Sequence, residues 1–172
     1  MRGVAIALFG SVSIIASGCV SPPPPKLPDS PVRITEVHFF PAPAQADAEF
    51  VEITNISAKP VDLSSWEVSG LGNMKLPAGT LVPGGGSIVI GKSVVAIEKL
   101  AGGRISIPAT FAGKLRNEGE TIRILDPQGR LADEMTYGPT AEGYAGASAT
   151  GDSLARTDAG WKPGKPTPGR HP

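Results

Sequence analysis

Residues 48–68, AEFVEITNISAKPVDLSSWEV, decide how the chain folds. Side chains of a β-strand alternate between its two faces, and the alternation in residues 49–54 predicts a strand that directs Val51 and Ile53 to the same face. Asn55 comes next, and its short side chain can hydrogen-bond to nearby backbone where a chain leaves a sheet. The segment therefore predicts a strand that ends at Asn55.

A turn and a second apolar segment follow this strand. Pro60 excludes a helix and fixes an extended or turning backbone. Leu63 and Trp66 then return large apolar side chains toward an interior. We expect these two side chains to lie on the same sheet face as Val51 and Ile53.

The composition favours a β-protein that contains many turns. The chain has 172 residues, which suits one domain with appendages, and its 22 glycines and 18 prolines argue against a helical bundle. The 16 basic and 16 acidic side chains are interspersed. This pattern gives no sign of a dedicated nucleic-acid-binding or membrane-surface protein.

Further strands and turns are predicted on both sides of the central strand. Residues 32–39 predict the first strand, and residues 41–47, PAPAQAD, predict an exposed loop that excludes a helix and is a candidate binding edge. Residues 74–91 predict short strands separated by turns at Gly79 and at the PGGG sequence of 83–86. Because that glycine run leads into an apolar strand rather than a helix, it indicates a turn and not a phosphate-binding loop.

The second half of the chain contains one predicted helix and one predicted hairpin. Residues 93–101 predict a short helix with Ser93 as its N-cap. Residues 121–125 and 131–137 predict paired strands, joined by the turn Asp126–Gly129 with aspartate first, proline second and glycine fourth. We expect this hairpin to close the core.

Several of these segments, in this order, resemble the lamin tail domain family: EFVEITN, VDLSSWEVS, LPAGTLVPGGGSIVIG and LRNEGETIRILDPQGRLADEMTYG. The resemblance runs from about Ile34 to Gly138 and implies an all-β, immunoglobulin-like β-sandwich. It also implies that the structural motif of the family lies at Glu36, Glu49, Glu52, Asn55, Trp66, Gly79, Gly119, Asp126 and Gly129.

The resemblance extends to the tail and to the function. SLAR at 153–156, Trp161 and PTPG at 166–169 are similar to the ending of bacterial members. We expect Leu154 and Trp161 to lie back on the sandwich and Arg156 to pair with a carboxylate, so that the tail protects a sheet edge. The family implies an interaction module without chemistry of its own, found in nuclear intermediate filament proteins and attached to secreted bacterial nucleases and phosphoesterases.

The start of the sequence predicts an export signal. Met1 and Arg2 form a short basic segment, and residues 4–15 form an apolar run that is too short to span a bilayer as a permanent helix. Such a segment is typical of a signal peptide.

The residues that follow resemble a bacterial lipobox, in which small residues precede a cysteine whose thiol receives diacylglycerol before cleavage. Ala16, Ser17 and Gly18 stand before Cys19, the only cysteine, although leucine is more usual in place of Ala16. The alternatives are an unmodified cysteine beside an ordinary signal-peptidase site and a buried thiol in a membrane anchor. Lipidation is favoured because a lone cysteine forms no internal disulfide and a free thiol is a liability in an oxidising compartment.

Residues 20–31, VSPPPPKLPDSP, predict a spacer. Consecutive prolines favour an extended form of roughly 3 Å per residue, which would hold a domain on the order of 30 Å from the membrane. A ligand for a proline-recognition domain is the alternative. Val20, in place of aspartate after the cysteine, indicates passage to the outer membrane by the sorting rule for bacterial lipoproteins; the periplasmic and surface faces both stay open.

The expected organisation therefore has four parts. Residues 1–18 are the signal peptide, and residues 19–31 are the lipidated cysteine and proline-rich linker. Residues 32–138 are the lamin tail domain, and residues 139–172 are a Gly/Pro-rich tail partly packed on that domain.

The sequence shows no pattern typical of a catalytic or metal-binding site. His38 and His171 are the only histidines, so no histidine cluster has metal-ligand spacing, and we expect His38 to hydrogen-bond locally at a strand end. Ser64, Ser65 and Ser153 lack the G-x-S-x-G context of a nucleophile. We expect no enzymatic activity, no cofactor and no metal. A calcium site is the alternative, without the spacing of a preformed loop, at Glu36, Glu49, Glu52 and Asp62.

Three functions are compatible with these features. The favoured one is a lipid-anchored envelope protein whose non-catalytic module binds or scaffolds another envelope or surface protein. The second is a nucleic-acid-tethering module, based on the tail residues Lys162, Lys165 and Arg170, which have no acidic neighbours in the sequence after Asp158. A calcium-dependent or hydrolytic enzyme is third, and the oligomeric state is open.

Overall fold

Strand β2 (Phe50–Asn55) lies in the middle of the larger sheet in the computed structural model, which describes residues 22–170. The predicted lipobox, Ala16 to Cys19, and His171 lie outside the described residues. The other strands are β1 (Val32–His38), β3 (Val61–Asp62), β4 (Glu67–Ser69), β5 (Met74–Lys75), β6 (Leu81–Val82), β7 (Ser87–Gly91), β8 (Ala109–Thr110), β9 (Glu120–Leu125), β10 (Leu131–Tyr137), β11 (Ser153–Thr157) and β12 (Gly160–Gly164).

The strands form two main sheets and one small one. The larger sheet has the order β12-β11-β1-β2-β7-β8, and the smaller sheet has the order β10-β9-β4-β5. Strands β3 and β6 make a separate pair. All pairings are antiparallel except that of β7 with β8. The predicted all-β, immunoglobulin-like sandwich is therefore confirmed, and so is the hairpin of β9 and β10.

The main core lies between these sheets, and the larger sheet is buried on its outer face as well. Val51, Ile53, Leu63 and Trp66 all belong to the main core, as the spacing of these residues predicts. Phe50 points to the other face of β2, where it forms a second apolar cluster with Val89 and Ile97. Both faces of β2 are thus covered, which is why all six of its residues are buried.

Two α-helices and one 3-10 helix accompany the strands in residues 22–170. Helix α1 (Val94–Ala101) begins at the predicted cap, where Ser93 Oγ accepts a hydrogen bond from Ala96 N at 3.3 Å, and α2 (Tyr144–Thr150) directs Ala147 into the core. The prediction of α1 is confirmed, whereas α2 was not predicted. Neither helix has the length and hydrophobicity that crossing a bilayer requires.

One prediction about the loop after β1 is wrong. A 3-10 helix occupies Pro43–Gln45, although the prolines of this loop were expected to exclude any helix. Proline is tolerated in the first turn of a helix because the amide hydrogen it lacks has no acceptor there. Pro43 takes that position.

Part of the expected spacer is attached to the sandwich. Leu27 N donates to Leu131 O at 2.7 Å, and Leu131 N donates to Pro25 O at 2.7 Å. The linker therefore pairs with the first residue of β10, at the outer edge of the smaller sheet. Hydrogen bonding to the domain begins at Pro25, before the expected start of the domain at residue 32.

The tail packs as the resemblance implies. Strand β11 pairs with β1 and covers its edge, with Leu154 fully buried and Trp161 packed against the main core. The guanidinium of Arg156 lies 5.3 Å from the centre of the Trp161 ring, and its Nη1 donates to Asp133 Oδ2 at 2.7 Å. The predicted pairing of Arg156 with a carboxylate is confirmed.

Asp133 links the two sheets, and its removal should therefore destabilise the fold. Its Oδ2 atom on β10 accepts from Ile34 N on β1 at 2.8 Å as well as from Arg156. We expect Asp133→Ala to lower the free energy of unfolding by about 2–3 kcal/mol, because it leaves a buried amide without an acceptor and removes an ion pair. Urea unfolding followed by tryptophan fluorescence measures this change.

Glu134→Ala is the matched control for Asp133→Ala. Glu134 neighbours Asp133, but its ion pair with Arg123 is solvent-exposed, so its loss should cost less than about 1 kcal/mol. Equal losses for the two variants would show that the link between the sheets does not contribute to stability.

Candidate interaction surface

The proline-rich linker and the loop after β1 lie at opposite ends of the sandwich. Strand β1 begins beside the linker at Val32 and ends at His38, and β10 runs from Leu131 toward the same end. Phe39, which follows β1, contacts the ring of Tyr137 at the end of β10, with ring centres 4.5 Å apart. The loop that Phe39 begins is therefore remote from the linker.

This remote end is covered by a distal cap, which we define as residues 39–48, α1 and α2. Residues 39–48 lie between the two helices and form a groove with each of them. The groove toward α1 is lined by Ala44, Gln45, Ala48, Ala96, Lys99 and Leu100. The groove toward α2 is lined by Phe40, Pro41, Ala42, Pro43, Ser148, Ala149, Thr150 and Gly151.

The distal cap exposes large apolar side chains. Val95 is 78% exposed and Phe40 is 38% exposed, and Val94 precedes Val95 on α1. Single exposed apolar residues are common on proteins, but several that share one end of a domain beside apolar grooves are typical of a protein-binding surface. The cap therefore has the composition of an interaction surface.

The sequence contains a signal for the exposure of Val95 that the prediction of α1 did not use. Successive helical residues are rotated by about 100°, so side chains two positions apart point in nearly opposite directions. Ile97 is buried beneath α1, and Val95 must then face solvent. The exposure of Phe40 has no comparable signal, because it depends on how the loop folds back beside α2.

Polar contacts hold the cap in place. Lys92 Nζ forms an ion pair with Asp47 at 3.1 Å, and Lys92 N donates to Glu49 O at 3.0 Å. The ring nitrogens of His38 face two carbonyl oxygens, Ala48 O at 2.9 Å and Gly151 O at 3.1 Å. The predicted local hydrogen bonding of His38 is confirmed. This side chain joins the end of β1 to Ala48, at the end of the loop, and to Gly151, which follows α2.

Among the residues assigned to the family motif, Asn55 makes the most hydrogen bonds. Its Nδ2 group donates to the carbonyl oxygens of Lys59, Val82 and Pro83 at 2.7, 3.1 and 3.1 Å. Its Oδ1 atom accepts from the amide and the hydroxyl of Ser57 at 3.0 and 2.8 Å. Asn55 thus joins the end of β2 to the two turns beside it.

The glycines and Asp126 of the expected motif shape turns. Gly79 and Gly129 have φ angles of 81° and 76°, which favour glycine, and both stand in tight turns. Gly119 packs so closely that an added Cβ would lie 2.5 Å from Tyr137 O. Burial by itself would raise the pKa of Asp126, but hydrogen bonds from Arg130 and Gln128 lower the pKa below its usual value.

The acidic residues of the expected motif occupy two separate places. Glu36 and Glu52 are directly opposed on β1 and β2, whereas Glu49 accepts a hydrogen bond from Leu115 N at 2.9 Å. Burial raises the pKa of Glu49, and it raises the pKa of Glu52 to about 7. Asp62 instead accepts from Ser64. The four carboxylates proposed as calcium ligands do not converge, and residues 22–170 contain no group of three acidic, histidine or cysteine side chains arranged to hold a metal.

Two of the three basic residues of the tail form polar contacts within the fold that the sequence did not predict. Lys165 forms an ion pair with Asp152 at 3.1 Å, and Arg170 Nη2 donates to Ala101 O at 2.9 Å. The expectation that Lys165 is unopposed was wrong because the fold brings Asp152, thirteen positions earlier, next to it. Lys162 is exposed on β12.

A comparison with family models tests the resemblance of the strand and turn segments to the lamin tail domain. The model of the Lamin Tail Domain matches residues 26–139. The chain belongs to the lamin tail domain family. The match begins at Lys26, which agrees with the pairing of the linker to Leu131 in this lamin tail domain. No curated protein matches the chain.

Replacement of Asn55 should be strongly destabilising. We expect Asn55→Ala to lower the free energy of unfolding by about 2–4 kcal/mol, because it removes the donor to one buried and two partly buried carbonyl groups at once. Thermal and urea unfolding measure the change. Ser57→Ala removes only a partly exposed hydroxyl from the same network and should cost about 1 kcal/mol or less. If the two variants unfold alike, Asn55 does not organise these turns.

Proposed function

We propose that this lamin tail domain protein is a lipid-anchored module of the bacterial cell envelope that binds another envelope protein through its distal cap. The observation that carries this proposal is the position of the cap, with its exposed apolar side chains, at the end of the sandwich opposite the linker. An anchor on the linker side would direct the cap away from the membrane.

The attached linker sets how far the cap would stand from the membrane. Because Pro25 already pairs with the sandwich, only residues 20–24 would separate Cys19 from the domain. Five residues in an extended proline-rich form would span on the order of 15 Å. The seven residues of β1 add roughly 20 Å along the domain. The cap would therefore reach about 35 Å from the bilayer surface, so we expect its partner to lie close to the same membrane.

The support for the anchor comes from the sequence. Cys19 follows small residues and an apolar segment, and it is the only cysteine of the chain. A single acyl chain holds a protein only marginally at a bilayer, whereas two or three acyl chains hold it for long periods. Lipidation at Cys19 would thus account for stable attachment to a membrane. Val20, the residue after the cysteine, favours the outer membrane.

The arrangement of acidic and hydroxyl groups favours binding over catalysis. Glu36, Glu49 and Glu52 accept hydrogen bonds from backbone amides of the chain itself. Ser153 Oγ donates to Glu36, and Ser64 Oγ donates to Asp62. These groups thus hydrogen-bond within the fold, and the exposed apolar side chains of the cap are typical of a protein-binding surface.

A nucleic-acid-tethering role has weaker support. It depends on a basic tail, but Lys165 and Arg170 already have partners in the fold. DNA binding that weakens steeply with salt and disappears when Lys162, Lys165 and Arg170 are all replaced by glutamine would favour this role over the one proposed.

Crosslinking in intact cells tests the role of the cap. We expect the full chain to yield a crosslinked envelope protein, and Val95→Asp to reduce that product at least tenfold because a charge would replace an apolar contact. Aspartate in the first turn of a helix is compatible with the helix dipole, so α1 should persist. Leu81→Asp is the control, since Leu81 is 60% exposed but lies on β6, outside the cap. An undiminished product with Val95→Asp would exclude the cap as the binding surface.

Replacement of Cys19 tests the anchor separately. We expect the cellular protein to carry acyl mass on Cys19 and to sediment with membranes, and Cys19→Ser to abolish both properties. Ser17→Ala keeps a small residue before the cysteine and should retain both. Recovery of the unaltered protein in soluble form, with a later residue at its amino terminus and no acyl mass, would contradict the anchor.

A further inference from the structure

The C-terminal segment crosses the outer face of the larger sheet as a strap, which we define as residues 165–170. Within it, Arg170 N donates to Thr167 O at 3.0 Å, and Gly169 has a φ of 77°. Proline second and glycine third in such a turn are typical of type II geometry. Pro168 is buried against the domain although it lies near the end of the chain.

Two carboxylates hold this strap. Thr167 donates to Glu36 through its amide at 2.9 Å and through its hydroxyl at 3.0 Å. Gly169 N donates to Glu52 Oε2 at 2.7 Å. Arg170 then reaches the carbonyl of Ala101, the last residue of α1. The strap therefore passes over β1 and β2 in turn and ends at the helix.

A bulge in β1 places polar groups beneath the strap. The register of β1 with β2 shifts between Ile34 and Glu36, so that Thr35 is the additional residue. Thr35 Oγ1 donates to Glu52 Oε1 at 2.9 Å, on the face that also carries Glu36. The outer face of these two strands thus has a hydrogen-bonded polar centre in place of an apolar one.

Within residues 22–170, no cation forms an ion pair with either carboxylate. Glu36 and Glu52 are 1% and 0% exposed, they are directly opposed in the sheet, and neither belongs to an ion pair formed within residues 22–170. Two like charges that are buried side by side disfavour full ionisation of the pair. A proton held by the pair would relieve this repulsion.

Other charged and titratable groups on the surrounding elements do not supply the missing charge. His38 contacts two backbone carbonyls, Arg156 pairs with Asp133, and Lys165 pairs with Asp152. The remaining groups of this kind on β1, β2, α1, the segment after it and the strap form no ion pair with Glu36 or Glu52: Arg33, Glu49, Glu98, Lys99, Arg104 and Arg170.

We propose that the strap is a proton-linked latch, which closes over the Glu36–Glu52 pair when the pair carries one proton and opens more readily when both carboxylates are charged. This inference rests on the packing of the strap and is independent of the proposed partner or anchor. Opening would release residues 165–170 and expose the polar centre of the sheet to water.

The direction of the pH dependence follows from the buried state of Glu52. Burial, with a smaller contribution from the charge of Glu36, outweighs the lowering effect of the hydrogen bonds from Thr35 and Gly169 and raises the pKa of Glu52 from 4.5 to about 7 while the strap is closed. In an open state water would reach this carboxyl, and its pKa would return toward 4.5. The closed state therefore binds the proton more tightly. Its added stability is complete below pH 4.5 and is lost as the pH rises through about 7.

Hydrogen exchange of the full chain at several pH values tests the latch. After correction for the intrinsic exchange rate, we expect the protection of the Thr167 and Gly169 amides to fall at least about tenfold between pH 5.5 and pH 8. Glu52→Gln keeps an oxygen acceptor but carries no titrating group, so its strap protection should not depend on pH. Glu134→Gln changes an exposed carboxyl and should behave like the unaltered protein.

Direct titration of the carboxyl carbons by NMR provides a second measurement that does not require a variant to fold. We expect the Glu52 carboxyl to titrate above pH 6 in the unaltered protein. A midpoint below pH 5 for Glu52, or strap protection in the unaltered protein that does not change with pH, would overturn the proposal. A Glu52→Gln variant that keeps the full pH response would overturn it as well.

Discussion

The pairing of β1 with β2 is the constraint on which the rest of the structure depends. One face of this pair carries Ile34, Val51 and Ile53 into the main core, and the other carries Glu36 and Glu52 to the strap. The two ends of the pair have different roles as well. Val32 and Asn55 lie at the linker end, whereas His38 and Phe50 lie beneath the distal cap. A single hairpin therefore sets the positions of the core, the strap, the linker and the cap.

The additional residue in β1 makes the two faces compatible. Without a bulge, successive side chains would point to opposite faces. Ile34 and Glu36 would then both face the core, and Thr35 would face outward. Because of the register shift at Thr35, Ile34 and Val37 both face the main core, whereas Thr35 and Glu36 both face the outer side of the sheet. No buried side-chain nitrogen or oxygen within residues 22–170 lacks a hydrogen-bond partner, so the acidic groups are accommodated without an unsatisfied polar atom.

Features that depend on neighbouring residues in the chain could be predicted from the sequence. The strand predicted at residues 49–54, the cap at Ser93 and the Asp126–Gly129 turn each require only a few consecutive residues, and the structure has a strand at Phe50–Asn55, the cap and the turn. The attachment of the linker and the contacts of the strap could not be derived in this way. Their hydrogen bonds join groups far apart in the sequence, such as Leu27 N with Leu131 O and Gly169 N with the Glu52 carboxylate, and backbone groups carry no sequence pattern.

The two helices also differ in how far the local sequence specifies them. Helix α1 has a capping serine and apolar residues at helical spacing, whereas α2 is built from small residues between Gly143 and Gly151. The three alanines of α2 favour a helix, but Gly146, Ser148 and Thr150 disfavour one, so local preference alone does not specify α2. Packing of Ala147 into the core stabilises it instead, because tertiary contacts readily override propensity in a helix of this length.

The strap and the distal cap share α1, which raises the question of whether opening the strap would alter the cap. Arg170 contacts the last residue of α1, while Val94 and Val95 form its first turn, roughly 10 Å away along the helix axis. The helix is fixed between these points by Ile97, which is fully buried and occupies the space left by the missing side chain of Gly91. Close-packed side chains of this kind do not shift gradually. Opening of the strap would therefore release the C-terminal segment and leave the apolar surface of the cap in place.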